Sequence, residues 1–228
     1  MSKPCPIYGR AIYMDCLDCD ERICMMKTKY KTISIGIDQS YQNTGVSISA
    51  DGKLLLVRSI HLDKYKTNSE RRKHLREYLA NMVYKIKPKC TEVICIIERI
   101  RLRSQGFINI DYIKSIGALN SVIVDVMSTF NIPVYSVDTR CWKSQVVGTS
   151  KPQNNNFGVP DEKWPTVKWC ISKGFEESIL IDMSSSKKTK GTFSNEDGKW
   201  MYNNDAADSA AISMFWWVGD KSKLKKEC

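Results

Sequence analysis

Two apolar runs in this chain each end on a carboxylate: Ile33-Ser-Ile-Gly-Ile-Asp38 and Val93-Ile-Cys-Ile-Ile-Glu98. Short runs this rich in isoleucine and valine read as buried strands. A carboxylate at the end of such a strand is costly unless its charge is compensated. A third acidic site, Asp205-Ala-Ala-Asp208-Ser-Ala-Ala, opens an alanine-rich helix. Asp205 and Asp208 are three apart and face one side of it. The helix N-terminus, with Asn204 as the expected cap, favours negative charge there. Convergence of the three sites on divalent cations would remove the cost. Hard oxygen ligands select Mg²⁺ or Mn²⁺. Two such ions about 3.5–4 Å apart drive in-line phosphodiester hydrolysis, one activating water and one stabilising the leaving 3′ oxygen. Each acid also has a plainer reading. Asp38 and Asp205 suit turn and cap positions, whereas a buried Glu98 is rare unless paired.

The charge balance fits that chemistry. The 228 residues carry a net charge of +10, with a pI near 9.1. A basic balance favours polyanionic partners, nucleic acid first among them, although it also serves solubility alone. Apolar content of 42% supports a core for one domain with appendages. The chain has no run of about 18 apolar residues, so no membrane span is expected. The N-terminus lacks signal-peptide order. The nine cysteines are therefore read as thiols or metal ligands of a cytoplasmic protein.

Residues 1–30 form a distinct Cys-rich arm. Cys5, Cys16, Cys19 and Cys24 follow C-x10-C-x2-C-x4-C. Four thiolates suit tetrahedral Zn²⁺, and free thiols in an irregular arm are the alternative. Residues 31–220 read as the main domain and 221–228 as a basic tail. Strands are expected at residues 32–38, 44–50, 54–60, 92–98 and 133–137, with Asp51-Gly52 turning a hairpin. A helix over about 68–87 carries the apolar stripe Leu75, Leu79, Met82, Val83 and Ile86 and stops at Pro88. Its Arg71, Arg72, Lys73 and Arg76 read as a solvated face and only secondarily as DNA contacts. Further helices are expected at about 110–130, 141–147, 161–172 and 204–218, and the polar stretch 184–198 is expected to be mobile. Asp38 should point toward solvent at the sheet rim, and Ala206, Ala207, Ala210 and Ala211 should let the last helix approach closely. Hairpin strands followed by alternating strands and helices imply a mixed sheet with helices on its faces.

The segment Ile35-Gly-Ile-Asp38 through Asn43-Thr-Gly45 resembles the first motif of RuvC-type Holliday junction resolvases. Ile97-Glu98-Arg99 resembles their second acidic strand. Ile116-Gly117-Ala118 and then Ile132-Pro133-Val134-Tyr135 resemble the stretch that follows. Asp205-Ala-Ala-Asp208-Ser-Ala-Ala-Ile212 is very like their closing motif. The resemblance keeps motif order over about residues 32–217. It implies an α/β, RNase H-like fold with a mixed five-stranded sheet flanked by helices. It also implies a homodimer, with helix 110–130 as its surface, making Mg²⁺-dependent paired incisions in four-way DNA junctions. It carries over Asp38, Glu98, Asp205 and Asp208 as catalytic acids and places Lys143 near the scissile phosphate, with Lys163 as a second lysine. Arg99, Arg101, Arg103 and Phe107 follow the second acidic strand and are further DNA-contact candidates. Phe107 lies where family members place an aromatic that enters the junction, at a different offset, and equally suits the core. The Cys-rich arm and the insertion around 184–199 are departures that suggest a phage-type or divergent member, with forks or flaps as possible substrates.

Other classes share parts of this pattern. Actin-like ATPases also open with an apolar strand, Asp and a hairpin, but need a duplicated domain and a second phosphate loop. A branched-DNA binder without cleavage gains nothing from concentrating acids near phosphate. A nuclease on RNA or RNA–DNA hybrids is compatible with the same fold.

Overall fold

Alternation along the first strand sorts its residues onto two faces. In the computed structural model, which describes residues 29–100, 110–183, 192–195 and 198–227, β1 spans Tyr30–Asp38. Ile33, Ile35 and Ile37 are buried in one core, so Ser34, Gly36 and Asp38 take the opposite face. β2 (Asn43–Ala50) repeats the division, with Val46 and Ile48 in that core and Gly45, Ser47 and Ser49 opposite. β3 (Lys53–His61) follows through Asp51 and Gly52, whose φ angles of 46° and 80° provide the two left-handed positions of a type I′ turn. β4 (Cys90–Glu98) and β5 (Val134–Val137) complete the expected five strands.

The strand order is β3-β2-β1-β4-β5, with one further strand beyond β5. β1 pairs antiparallel with β2, and β2 with β3; β1–β4 and β4–β5 are parallel. The sixth strand, β9 (Lys225–Lys226), pairs antiparallel with β5. The expected basic tail is thus partly a sheet edge, whose backbone bonds do not depend on side-chain patterning.

The isoleucine face is covered by α1 (Asn68–Ile86) and α2 (Ile110–Thr129). Thr67 caps α1 in a reciprocal capping box with Glu70. The predicted stripe of α1 is the buried one. A 3-10 turn over Lys87–Lys89, with Pro88 inside it, leads into β4. Arg71 departs from the solvated face expected of it. Its guanidinium donates to the carbonyls of Tyr65 and Tyr41 and lies 5.5 Å from the Tyr41 ring centroid.

The opposite face receives α3 (Thr139–Trp142), α4 (Trp164–Ser172), α5 (Glu176–Ile179) and α6 (Asn204–Val218). The helix expected over 141–147 begins earlier and changes character, since α3 runs into a π turn over Lys143–Val147 that ends at Gly148, φ 88°. A second sheet, β6 (Leu180–Asp182), β8 (Gly198–Tyr202) and β7 (Phe193–Asn195) in that order, adjoins α5 and α6. Residues 193–195 and 198 of the stretch expected to be mobile are therefore strand. Phe193 joins Phe157, Trp164 and Tyr202 in an aromatic cluster with ring centroids 5.0–6.1 Å apart. Its burial supplies what the polar composition obscures. No described helix is long and apolar enough to cross a membrane.

Candidate active site

The site forms where α6 lands on the small-residue face of the sheet. A Cβ on Gly45 would lie 1.9 Å from the Asp205 carbonyl oxygen, and one on Gly36 would lie 2.3 Å from that of Ser209. Two glycines thus let the helix backbone rest directly on the strands. Ser47 donates to the Ser209 carbonyl at 2.6 Å, and Ser49 to the Ser213 carbonyl at 3.1 Å. On the helix side Ala206, Ala207, Ala210 and Ala211 are fully buried. The close approach expected from the alanines therefore needs matching glycines and serines on the strands.

Register then brings the acids together. Asp38 pairs with Gly45 across β1–β2, and Ile37 pairs with Ile97 across β1–β4, so Asp38 and Glu98 end neighbouring strands. The first two turns of α6 bring Asp205 and Asp208 over them. Asp38 is buried rather than solvent-facing, because α6 covers its end of the sheet. Asn203, not Asn204, caps α6, its side chain accepting from the Ala206 N–H at 3.0 Å. Either of two adjacent asparagines has the required chemistry, and only the backbone turn selects one.

The electrostatics are those of crowded carboxylates. Burial, followed by the charges of Asp208 and Glu98, pushes the Asp38 carboxyl well above its ordinary range. Burial and then Asp208 push Glu98 up as well. Burial raises Asp205 to about 6, with Lys163 and a Ser40 hydrogen bond opposing the rise. Lys163, at the start of α4, is the counter-charge. Its Nζ lies 2.5 Å from Asp208 Oδ2, and chiefly the Asp208 charge strengthens its hold on its proton. Asp208 Oδ1 is buried with no hydrogen-bond partner.

Glu98 is held at both oxygens. Thr139 Oγ1 donates to Oε1 at 2.8 Å, and the fully buried Trp142 donates through Nε1 to Oε2 at 3.2 Å. Gln39 Nε2 donates to the Glu98 carbonyl at 2.6 Å. Thr139, Trp142, Gln39, Gly36 and Gly45 were not legible as site residues. The Ile-Ser-Ile-Gly-Ile alternation was the one available signal, since it marks a strand face too small to bury anything but a closely laid helix.

The other candidates lie elsewhere. Lys143 donates to the Glu162 carbonyl at 2.9 Å, so it braces the turn before Lys163 rather than touching an acid. Arg99 turns to Ser136 and the Lys223 carbonyl. Arg101, Arg103 and Phe107, and Cys5, Cys16, Cys19 and Cys24, lie outside the described residues. Among the described residues, no three His, Cys, Asp or Glu side chains are already gathered at ligating distances. The donor chemistry nonetheless fits a hard divalent cation, because the set is all-oxygen and one buried carboxylate oxygen is unpartnered.

The architecture is that of RuvC, an RNase H-like fold. Thermus thermophilus RuvC in complex with a Holliday junction substrate superposes with a TM-score of 0.56 at 13% identity, covering 86% of this chain and 99% of that one. A second structure of RuvC from the same organism gives a TM-score of 0.53 at 12% identity, with the same coverage. No protein-family model matches the sequence, and no characterised protein matches it by sequence.

Proposed function

We propose that this chain is a structure-selective endonuclease that cuts branched DNA, four-way junctions above all, and acts as a homodimer so that incisions come in pairs. The observation that carries the reading is the set of Asp38, Glu98, Asp205 and Asp208, two buried and two half-buried, at the seam of a RuvC-like fold. Mutual repulsion of these acids has no structural use. The basic net charge and the Holliday junction bound by the RuvC of similar fold support the choice of substrate.

The four acids would hold Mg²⁺ or Mn²⁺. When bound, two such ions supply Lewis acidity to the scissile phosphate, the attacking water and the leaving oxygen. The protein's own contribution is positional. Asp38 and Glu98 are fixed by the sheet, and Thr139 and Trp142 set the orientation of the Glu98 carboxylate. Asp205 and Asp208 ride on α6. Lys163 neutralises Asp208 and stands where an ammonium would stabilise charge developing on phosphate. At the N-terminus, Cys5, Cys16, Cys19 and Cys24 form a candidate zinc site by spacing; about one zinc per chain in never-chelated protein tests it.

Incubation with a labelled four-way junction and Mg²⁺, beside linear duplex, flap, fork and RNA–DNA hybrid, tests the activity. Symmetric paired nicks in the junction, lost in Asp38→Asn while binding persists, are expected. Cutting of the hybrid alone would replace the reading with an RNA-directed one. Binding without any cutting would replace it with a binding role.

A further inference from the structure

One basic surface is built into the same end of the sheet as the acids. β3 ends at His61, which pairs with Asn43 at the start of β2, and the His61 and Asn43 side chains are 2.8 Å apart. The two loops beyond them are bonded together. Leu62 and Asp63 N–H groups donate to the Gln42 carbonyl at 2.7 and 3.0 Å. Arg71 then bridges the loops by donating to both the Tyr41 and Tyr65 carbonyls. The inner loop touches the site, since Ser40 hydrogen-bonds Asp205. The result is a braced shelf running outward from the acids to Lys64-Tyr65-Lys66 and the first turn of α1.

Beyond Arg71, the shelf presents cations outside any described ion pair. Lys64 and Lys66 are exposed, and no described ion pair engages either of them or Arg72. Lys64 lies 5.2 Å from the Tyr65 ring centroid, and Tyr65 is pinned by its hydroxyl 2.8 Å from His74 Nδ1. Folding gains little from two exposed lysines two residues apart on a braced loop. Phosphates tracking toward the acids would gain from both.

We propose that the β3–α1 shelf, through Lys64 and Lys66 with Arg72 behind them, binds the backbone of the DNA strand that leads into the acid site. This rests on the reading of the protein as a DNA nuclease. Of these three residues, only Arg72 belongs to the helix face that the sequence presents as solvated.

The test is junction binding in EDTA, where cleavage is silent, measured as affinity against salt. Each lost phosphate contact lowers the slope of log affinity against log salt by about 0.9. Lys64→Gln/Lys66→Gln should therefore lose about 1.8 in slope. Its affinity deficit relative to wild type should change by about tenfold between 50 and 200 mM salt. The control is Lys31→Gln/Lys53→Gln, which removes the same charge from exposed positions at the opposite end of the sheet; its slope should match wild type. A Lys64/Lys66 variant with the wild-type slope, or a control that loses as much, would overturn the shelf. A wild-type affinity that does not respond to salt would overturn the shelf as well, whereas a wild-type protein that neither binds nor, with Mg²⁺, cuts the junction would overturn the nuclease reading on which the shelf rests. Coincident melting curves for both double variants and wild type are expected, because no residue removed is buried.

Discussion

Neutralising one acid should make the metal-free protein more stable. Asp205 lies partly buried in the first turn of α6, where burial moves its carboxyl from 3.8 to about 6. That rise is roughly two units at about 1.4 kcal/mol each, so ionised Asp205 costs the fold about 3 kcal/mol at pH 7. Asp205→Asn removes the cost and loses about 0.3–1 kcal/mol of attraction between the charge and the helix N-terminus. The net gain is about 2 kcal/mol. At about 2–4 °C per kcal/mol for a chain of this size, the midpoint should rise by about 4–8 °C. The assay is thermal unfolding in EDTA at pH 7. The folded carboxyl binds its proton more tightly than the unfolded one, so its contribution is fully present below pH 3.8 and lost as pH rises to about 6. The gap between the two proteins should therefore open between roughly pH 4 and pH 6 and stay constant above. Saturating Mg²⁺ should reverse the ranking, because only the wild type keeps the full ligand set. An Asp205→Asn protein that melts at or below wild type in EDTA at pH 7 would refute the claim that holding ionised Asp205 in this site costs the fold stability.

Other perturbations separate the parts of the site. Lys163→Met strips the cation from Asp208, whose side chain is 1% exposed; a loss of about 3–5 kcal/mol is expected in denaturant titrations without metal. Gly45→Ala drives a methyl group into the Asp205 backbone; about 1–3 kcal/mol of stability should be lost, and cleavage of the four-way junction with it. Trp142→Phe keeps the buried ring but removes the donor to Glu98; Mn²⁺ affinity by calorimetry should fall about 10–100-fold with the fold intact.

Much of this architecture is legible in the sequence where the signal is local. The apolar runs before Asp38 and Glu98, the Asp51-Gly52 turn and the stripe of α1 each state their own structure, and the sheet assembles from them. The acid set is legible for a different reason, since ionisable groups in such positions need an explanation beyond packing. What escapes is relational. Ser34, Gly36, Gly45 and Ser47 look like weak strand formers until α6 is laid on them. Thr139 and Trp142 look like ordinary helix residues until register places Glu98 beside them. The strands of the second sheet are too short for periodicity to show, and their cohesion comes from rings scattered between Phe157 and Tyr202.

The division of the acids between sheet and α6 also sets an order of events during synthesis. Strands β1 to β5, helices α1 and α2 and the segments that join them hold all the residues of the larger core, and that core can close while the Ser/Gly face still lies open to water. Asp38 and Glu98 remain hydrated until residues 204–218 have left the ribosome and docked. On the proposed function, the acid set is then completed in one late step. On that reading, a nascent or clipped chain that stops before residue 204 would lack Asp205 and Asp208 and should not cut DNA.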